Sequence, residues 1–139
     1  MTCGEIELAS IRGYNARIKA LIKELAILRE QIVTISPAPL SERVSGSKAH
    51  DLGDVVAGFM DKSDKISRKI VDDMQARQNI IDRILALENP LFSSILYWHF
   101  ASDLNHSEKA AKMNCSLSRV KHAYRPAVRA YDEKYFHGK

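Results

Sequence analysis

Eight apolar side chains constrain the first part of the chain. Ile11, Tyr14, Ile18, Leu21, Leu25, Leu28, Ile32 and Ile35 alternate three and four residues apart without a miss. A mean repeat of 3.5 residues is the a/d seam of a left-handed coiled coil. Arg17, Lys19, Lys23, Glu24, Arg29 and Glu30 fall off that seam and are expected in solvent. The helix should end by Ser36, because Pro37 disfavours a helical residue before it.

Residues 36–51, SPAPLSERVSGSKAHD, read as a loop or linker from their two prolines, four serines and glycine. That is long for a helix–helix connection. A second helix is expected from about Asp51 to Glu88. Its best 3–4 register is Leu52, Val56, Phe59, Ser63, Ile66, Ile70, Asp73, Arg77, Ile80, Ile84 and Leu87, three of which are polar. Met74 and Ile81 sit beside the broken positions, so the seam is expected to drift around the helix there. Asp73 and Arg77, four apart, are expected to form a solvated pair with each other. Two seamed helices of similar length point to an antiparallel helical hairpin whose apolar face can also dimerise. The alternative is ordinary core packing inside one small domain.

Asn89-Pro90 marks a restart, since Asn caps helices and Pro is favoured at their first position. The following LFSSILYWHFAS is expected to turn Leu91, Ile95, Trp98 and Phe100 inward, with Trp98, the single tryptophan, in the core. Glycine and proline are sparse (6 and 4), aromatics make up 7% and hydrophobic residues 45% of the 139 residues. The expectation is therefore an all-α fold. Residues 1–88 would form a long, coiled-coil-like antiparallel hairpin with its linker at 36–51, and residues 89–139 a small helix-turn-helix domain.

The segment from Asp103 to Tyr124, DLNHSEKAAKMNCSLSRVKHAY, has the layout of a helix-turn-helix. Leu104 should plug the small core. Asn105 can cap the first helix, with Glu108 three residues on completing a capping box. Ala110 and Met113 face inward. Asn114 sits at the sharp turn and tolerates the left-handed conformation. Ser116 caps the second helix, which buries Val120 with Ala123 or Tyr124 one turn on. Leu117, Ser118, Arg119, Lys121, His122 and Arg125 are then exposed. In a docked helix-turn-helix the start of the second helix meets base edges. Arg119 has the geometry for bidentate contact with guanine, and Ser118 and His122 for weaker polar contacts. Lys121, Arg125 and Arg129 are assigned to phosphates, as are Lys112 or Lys109 on the first helix.

Charge supports this placement. Residues 1–102 hold 13 Lys+Arg and 13 Asp+Glu, while residues 103–139 hold 8 and 4. The excess of the whole chain, +4, therefore sits in residues 103–139, which hold the helix-turn-helix. A localised basic patch suits a phosphate backbone; the alternative is a basic tail without a partner. Other chemistries lack a signature. There is no GxxxxGK[ST], GxGxxG or HExxH, and the five histidines and two cysteines form no ligand spacing. Neither catalysis nor a cofactor or metal is expected. No apolar run reaches the roughly 20 residues of a membrane span, the start MTCGEIELAS lacks a signal peptide's regions, and a reducing cytoplasm is expected.

The C-terminal segment resembles the fourth region of bacterial sigma factors. The whole chain is similar to small phage late-gene regulators of the RinA and ArpU type, in which a helical segment, a linker like TISPAPLSERVSGS (residues 34–47), a second helix and a closing helix-turn-helix follow one another. Leu40, Ser41, Val44 and Ser47 carry the linker match. The resemblance implies a phage or prophage transcriptional regulator in the bacterial host cytoplasm. The basic ending makes double-stranded DNA the expected partner, and the helical hairpin is expected to give a homodimer or a contact with host RNA polymerase. Lys109 stands where the motif is usually apolar, so its stem is expected to snorkel outward. Asn114 stands where glycine is usual. Pro126 is atypical, and the helix is expected to end near Arg125 and restart as PAVRAYDEKYF. Two rival readings remain: a DNA-packaging subunit of the small-terminase kind, which would form a large ring, and a pure coiled-coil interaction module.

Overall fold

The apolar seams become helices. In the computed structural model, which describes residues 1–35 and 46–137 and the side chains of 1–35 and 51–137, α1 spans Cys3–Ile35, α2 Gly46–Leu85, α3 Pro90–Phe100, α4 His106–Met113 and α5 Leu117–Phe136. The described residues contain no strand, so the fold is all-α. All eight seam positions of α1 are buried or half-buried, and the six charged residues expected off the seam are exposed. α2 starts five residues before the expected Asp51 and stops at Leu85 rather than Glu88. It ends early because Pro90 excludes a helical Asn89 and the Leu87 N–H closes a tighter turn on the Ile84 carbonyl at 3.2 Å. The rest of the expected linker, residues 36–45, lies outside the described residues, as do the linker positions Leu40, Ser41 and Val44 that carry the family resemblance.

The α2 register holds, and the expected widening around it occurs at Ile81, which is 4% exposed, but not at Met74. Every one of its eleven expected positions is buried or half-buried, including Ser63, Asp73 and Arg77. Met74, toward which the seam was expected to move, is 53% exposed. The polar positions stay in the seam because residues of α1 satisfy them. Asp73 is buried and does not pair with Arg77. It accepts two hydrogen bonds from the Arg17 guanidinium, Nε to Oδ2 and Nη2 to Oδ1, both 2.6 Å. A bidentate charge-assisted pair of this kind offsets the burial of the carboxylate, and Arg17, its hydrogen bond first, holds the Asp73 carboxyl below its ordinary pKa. Arg17, expected only to be solvated, is therefore half an ion pair. Arg77 turns instead to Asn15, Nε to Oδ1 at 2.5 Å.

Two compact units result, Met1–Ala16 with Met74–Lys139, and Arg17–Asp73. In the first, Glu7 meets Arg83 at 2.5 Å and Asn15 meets Arg77. Rising numbers on α1 meet falling numbers on α2, the order of an antiparallel pair; Arg17 and Asp73 follow the same order within the second unit. The core of the first unit takes Leu8 and Ile11 from α1, Ile80, Ile81, Ile84 and Leu87 from α2, Ile95, Leu96 and Phe100 from α3, and Ala127, Val128 and Tyr131 from α5. The Asn89-Pro90 restart separates α2 from α3, with the Asn89 side chain capping Leu91 and Phe92, yet the core runs across it. Trp98 is not in that core. The buried face of α3 is Ile95, Leu96 and Phe100, which leaves Trp98 half-buried, edge-on to Tyr97 at 5.2 Å and beneath the Lys112 ammonium at 5.9 Å.

The start of α1 is tied to α5 by one close approach. The Gly4 N–H donates to the buried Asp132 carboxylate at 2.7 Å, and His137 lies 2.6 Å from its other oxygen. The Gly4 hydrogen bond, then His137, keeps the Asp132 carboxyl below its ordinary pKa, and the positive end of α1 favours the charge there. A Cβ on Gly4 would sit 2.8 Å from the Asp132 Cα. Because that atom is backbone, the contact cannot be relieved by a rotamer change. Gly4→Ala is expected to cost about 1–3 kcal/mol, the usual range for overpacking, read as a lower urea midpoint at unchanged slope; an unchanged midpoint would remove this contact from the account.

Candidate nucleic-acid interface

The local chemistry of the helix-turn-helix is complete at each of its ends. Asn105 accepts from the Glu108 N–H at 2.8 Å while the Glu108 carboxylate accepts from the Asn105 N–H at 2.9 Å, a full capping box on α4. Asn114 takes φ 53 and ψ 44, the left-handed conformation. The Cys115 N–H then reaches the Ala110 carbonyl at 3.1 Å and the Asn114 N–H the Ala111 carbonyl at 3.3 Å, the two bonds of a Schellman closure. Ser116 caps α5 by accepting from the Arg119 N–H at 3.1 Å. Ala110 and Val120 are buried, Met113, Ala123 and Tyr124 pack against the core, and Leu104 is half-buried.

α5 is one continuous helix. The expected break at Pro126 does not occur. Proline there removes the donor that the His122 carbonyl would otherwise meet, at a cost of about 3 kcal/mol. Val120 on one side of it and Ala127, Val128 and Tyr131 on the other are all seated in the protein interior, and that packing holds the axis through the missing bond.

With α5 anchored by its buried face, the opposite face is set. Leu117, Ser118, Arg119, Lys121, His122, Arg125 and Arg129 are all exposed, as is Lys112 on α4. Ser118, His122, Arg125 and Arg129 recur at helical spacing and form one stripe, with Arg119 beside it and Leu117 and Lys121 on its flank. His122 Nδ1 lies 2.7 Å from the Ser118 carbonyl. A carbonyl only accepts, so that nitrogen carries the proton. Arg125 and Arg129 border a surface cleft of about 180 Å³ that also holds Glu5 and Asp132, so carboxylates share their surroundings. Arg119 and Lys121 do not border that cleft.

Lys109 departs from its expected role. It is 2% exposed, so it neither snorkels out nor reaches a phosphate. Its ammonium donates to His99 Nδ1 at 2.5 Å. Arg12, on α1, donates to the His99 carbonyl at 2.6 Å and lies over the Phe100 ring. Burial first, then the charges of Lys109, Arg12 and His106, push the His99 pKa down to about 4. Burial, then Lys109 and Lys121, lowers that of His106, and burial, then Arg12, lowers that of Lys109. Both imidazoles are therefore neutral at pH 7. Sequence reasoning singled out Lys109 as unusual, but Arg12 carried no local signal, since it comes from the opposite end of the chain.

This cluster makes stability pH-dependent. The folded protein keeps His99 neutral down to about pH 4, whereas the unfolded chain takes up that proton below about pH 6.5. Stability should fall as pH drops from about 6.5 to 4, by about 2 kcal/mol after allowance for screening at a half-buried site. Lys109→Met removes the nearest like charge, so His99 should titrate at higher pH and the acid loss should shrink. Histidine NMR titration with urea melts between pH 4 and 7 checks both; a wild-type His99 titrating near 6.5 would show that the cluster does not act on it.

Among the described residues no three His, Cys, Asp or Glu side chains are grouped to hold a metal ion, and no helix is long and apolar enough to cross a membrane. No protein-family model, curated protein or solved structure matches the chain.

Proposed function

We propose that the chain is a sequence-specific DNA-binding regulator of phage or prophage genes, reading DNA through the exposed face of α5. One observation carries this reading: a helix-turn-helix capped at each end presents Ser118, Arg119, His122, Arg125 and Arg129 outward while Val120, Ala127, Val128 and Tyr131 anchor the helix from behind. The recognition residues sit on one continuous helix, and the basic excess of the chain lies in residues 103–139. Arg119 addresses guanine through its paired donors; Lys121, Arg125, Arg129 and Lys112 address phosphates. The resemblance to sigma region four and to regulators of the RinA and ArpU type supplies the phage context and host RNA polymerase as a further partner. The protein acts by binding, and no reaction is assigned to it.

Mapping bound DNA across the source genome tests the role. Sites upstream of transcription units support the regulator. A single site at a packaging start would transfer the same DNA-binding face to the packaging subunit, and the absence of any enriched site would remove sequence-specific binding altogether.

A further inference from the structure

The hairpin segment Arg17–Asp73 exposes more large apolar side chains on one flank than on the other. With the seam positions labelled a and d, Ile22 and Val33 fall at e and b of α1, and Met60 and Val71 at e and b of α2. Each pair is separated by about three helical turns. In an antiparallel pair the e flanks of both helices lie on the same side. These four side chains are 52%, 75%, 54% and 63% exposed, an unusual surface for large apolar groups to recur on at helical spacing. The opposite flank exposes only Ile27 and Val55, at 41% and 45%, among Glu24, Lys62, Lys65 and Lys69. Most seam residues of this segment are themselves only half-buried, because two helices alone cannot enclose their own seam.

Charge identifies the occupant. The α1 stripe carries bases, Lys19 and Arg29, and the α2 stripe an acid, Asp64. A surface holding both signs on its two halves is complementary to itself: in a two-fold pair the α1 stripe of each copy meets the α2 stripe of the other. We propose that this flank, rather than the seam, is the interface between two copies of the chain, which closes at two. The inference adds a partner to the DNA-binding reading without depending on it.

Sedimentation equilibrium of the full chain without DNA tests it. The wild type is expected at twice the 15.7 kDa chain mass at micromolar concentration. Met60→Glu with Val71→Glu buries charge in the interface and should raise the dimer dissociation constant about a hundredfold or more, with the helical circular dichroism unchanged. Asp64→Lys, a surface change that spares folding, should raise it about fivefold. Ile27→Glu with Val55→Glu, on the opposite flank, should leave the dimer intact. A wild-type monomer, a larger ring, or equal disruption by both double variants would overturn the proposal. None of these outcomes depends on whether DNA is bound, so failure here and failure of the DNA reading are separable.

Discussion

Tyr131→Ala is expected to lower the unfolding free energy of the chain by about 3–5 kcal/mol, the range for truncating a fully buried aromatic. Tyr131 has no exposed surface and lies where α1, α2 and α5 converge. Its hydroxyl donates to the Glu7 carboxylate, which also takes the Arg83 guanidinium at 2.5 Å. Its ring lies 4.9 Å from that of Tyr135, whose hydroxyl donates to the Arg83 carbonyl at 2.9 Å. Truncation therefore removes a packed ring and one of two partners of a partly buried carboxylate. Tyr131→Phe separates the two effects: it keeps the ring, and should cost only about 1 kcal/mol. Urea melts of both variants decide. A Tyr131→Ala loss below that of Tyr131→Phe would mean that this junction does not hold the first unit together.

On the exposed side of the same helix, replacing Lys121, Arg125 and Arg129 together by Ala should weaken DNA binding about 10²–10³-fold at moderate salt. Three fewer neutralised phosphates should also flatten the salt dependence by about 3 in log–log slope. The loss should be nearly uniform across DNA sequences, because phosphates carry no sequence. Arg119→Ala should behave differently. It should cost about 1–3 kcal/mol on the cognate site and little elsewhere, since a bidentate guanine contact discriminates among bases. Because Arg125 and Arg129 share a cleft with Glu5 and Asp132, Lys121 should contribute most per residue among the three. All four side chains are exposed, so the variants should melt with the wild type. Competition binding against cognate and random duplexes separates the two behaviours; equal losses for Arg119→Ala on both would assign Arg119 to the backbone.

Much of this architecture is legible in the residues. The 3–4 spacing of α1 and α2 identifies the seam positions, with Ile81 buried beside them, because apolar periodicity and burial report the same thing on a helix packed on one side. The caps at Asn89, Asn105 and Ser116 and the left-handed Asn114 are local chemistry, readable within four residues. Two of the misreadings share a cause, a partner on another helix. Asp73 reads as a seam break until Arg17 is beside it. Lys109 reads as a solvated or phosphate-facing base until His99 receives its ammonium. Pro126 reads as a helix end until the packing of Val120, Ala127 and Val128 is seen to outweigh one lost hydrogen bond. Trp98 was placed inward by its chemistry, whereas the arc of α3 that packs is set by Ile95, Leu96 and Phe100. The seven candidate contact residues on α5 were legible as exposed, since exposure on α5 follows from the position of Val120.

The α5 face as a DNA-binding surface is open to direct test. Equilibrium binding of the full chain to a duplex from its source genome, titrated across ionic strength, should give an affinity falling linearly on a log–log plot with a slope of about −3 to −4, corresponding to the three or four phosphates assigned to Lys112, Lys121, Arg125 and Arg129. The Lys121, Arg125 and Arg129 triple variant should lose most of that slope. No association at low salt, or a slope untouched in the triple variant, would contradict the assignment of this face to DNA.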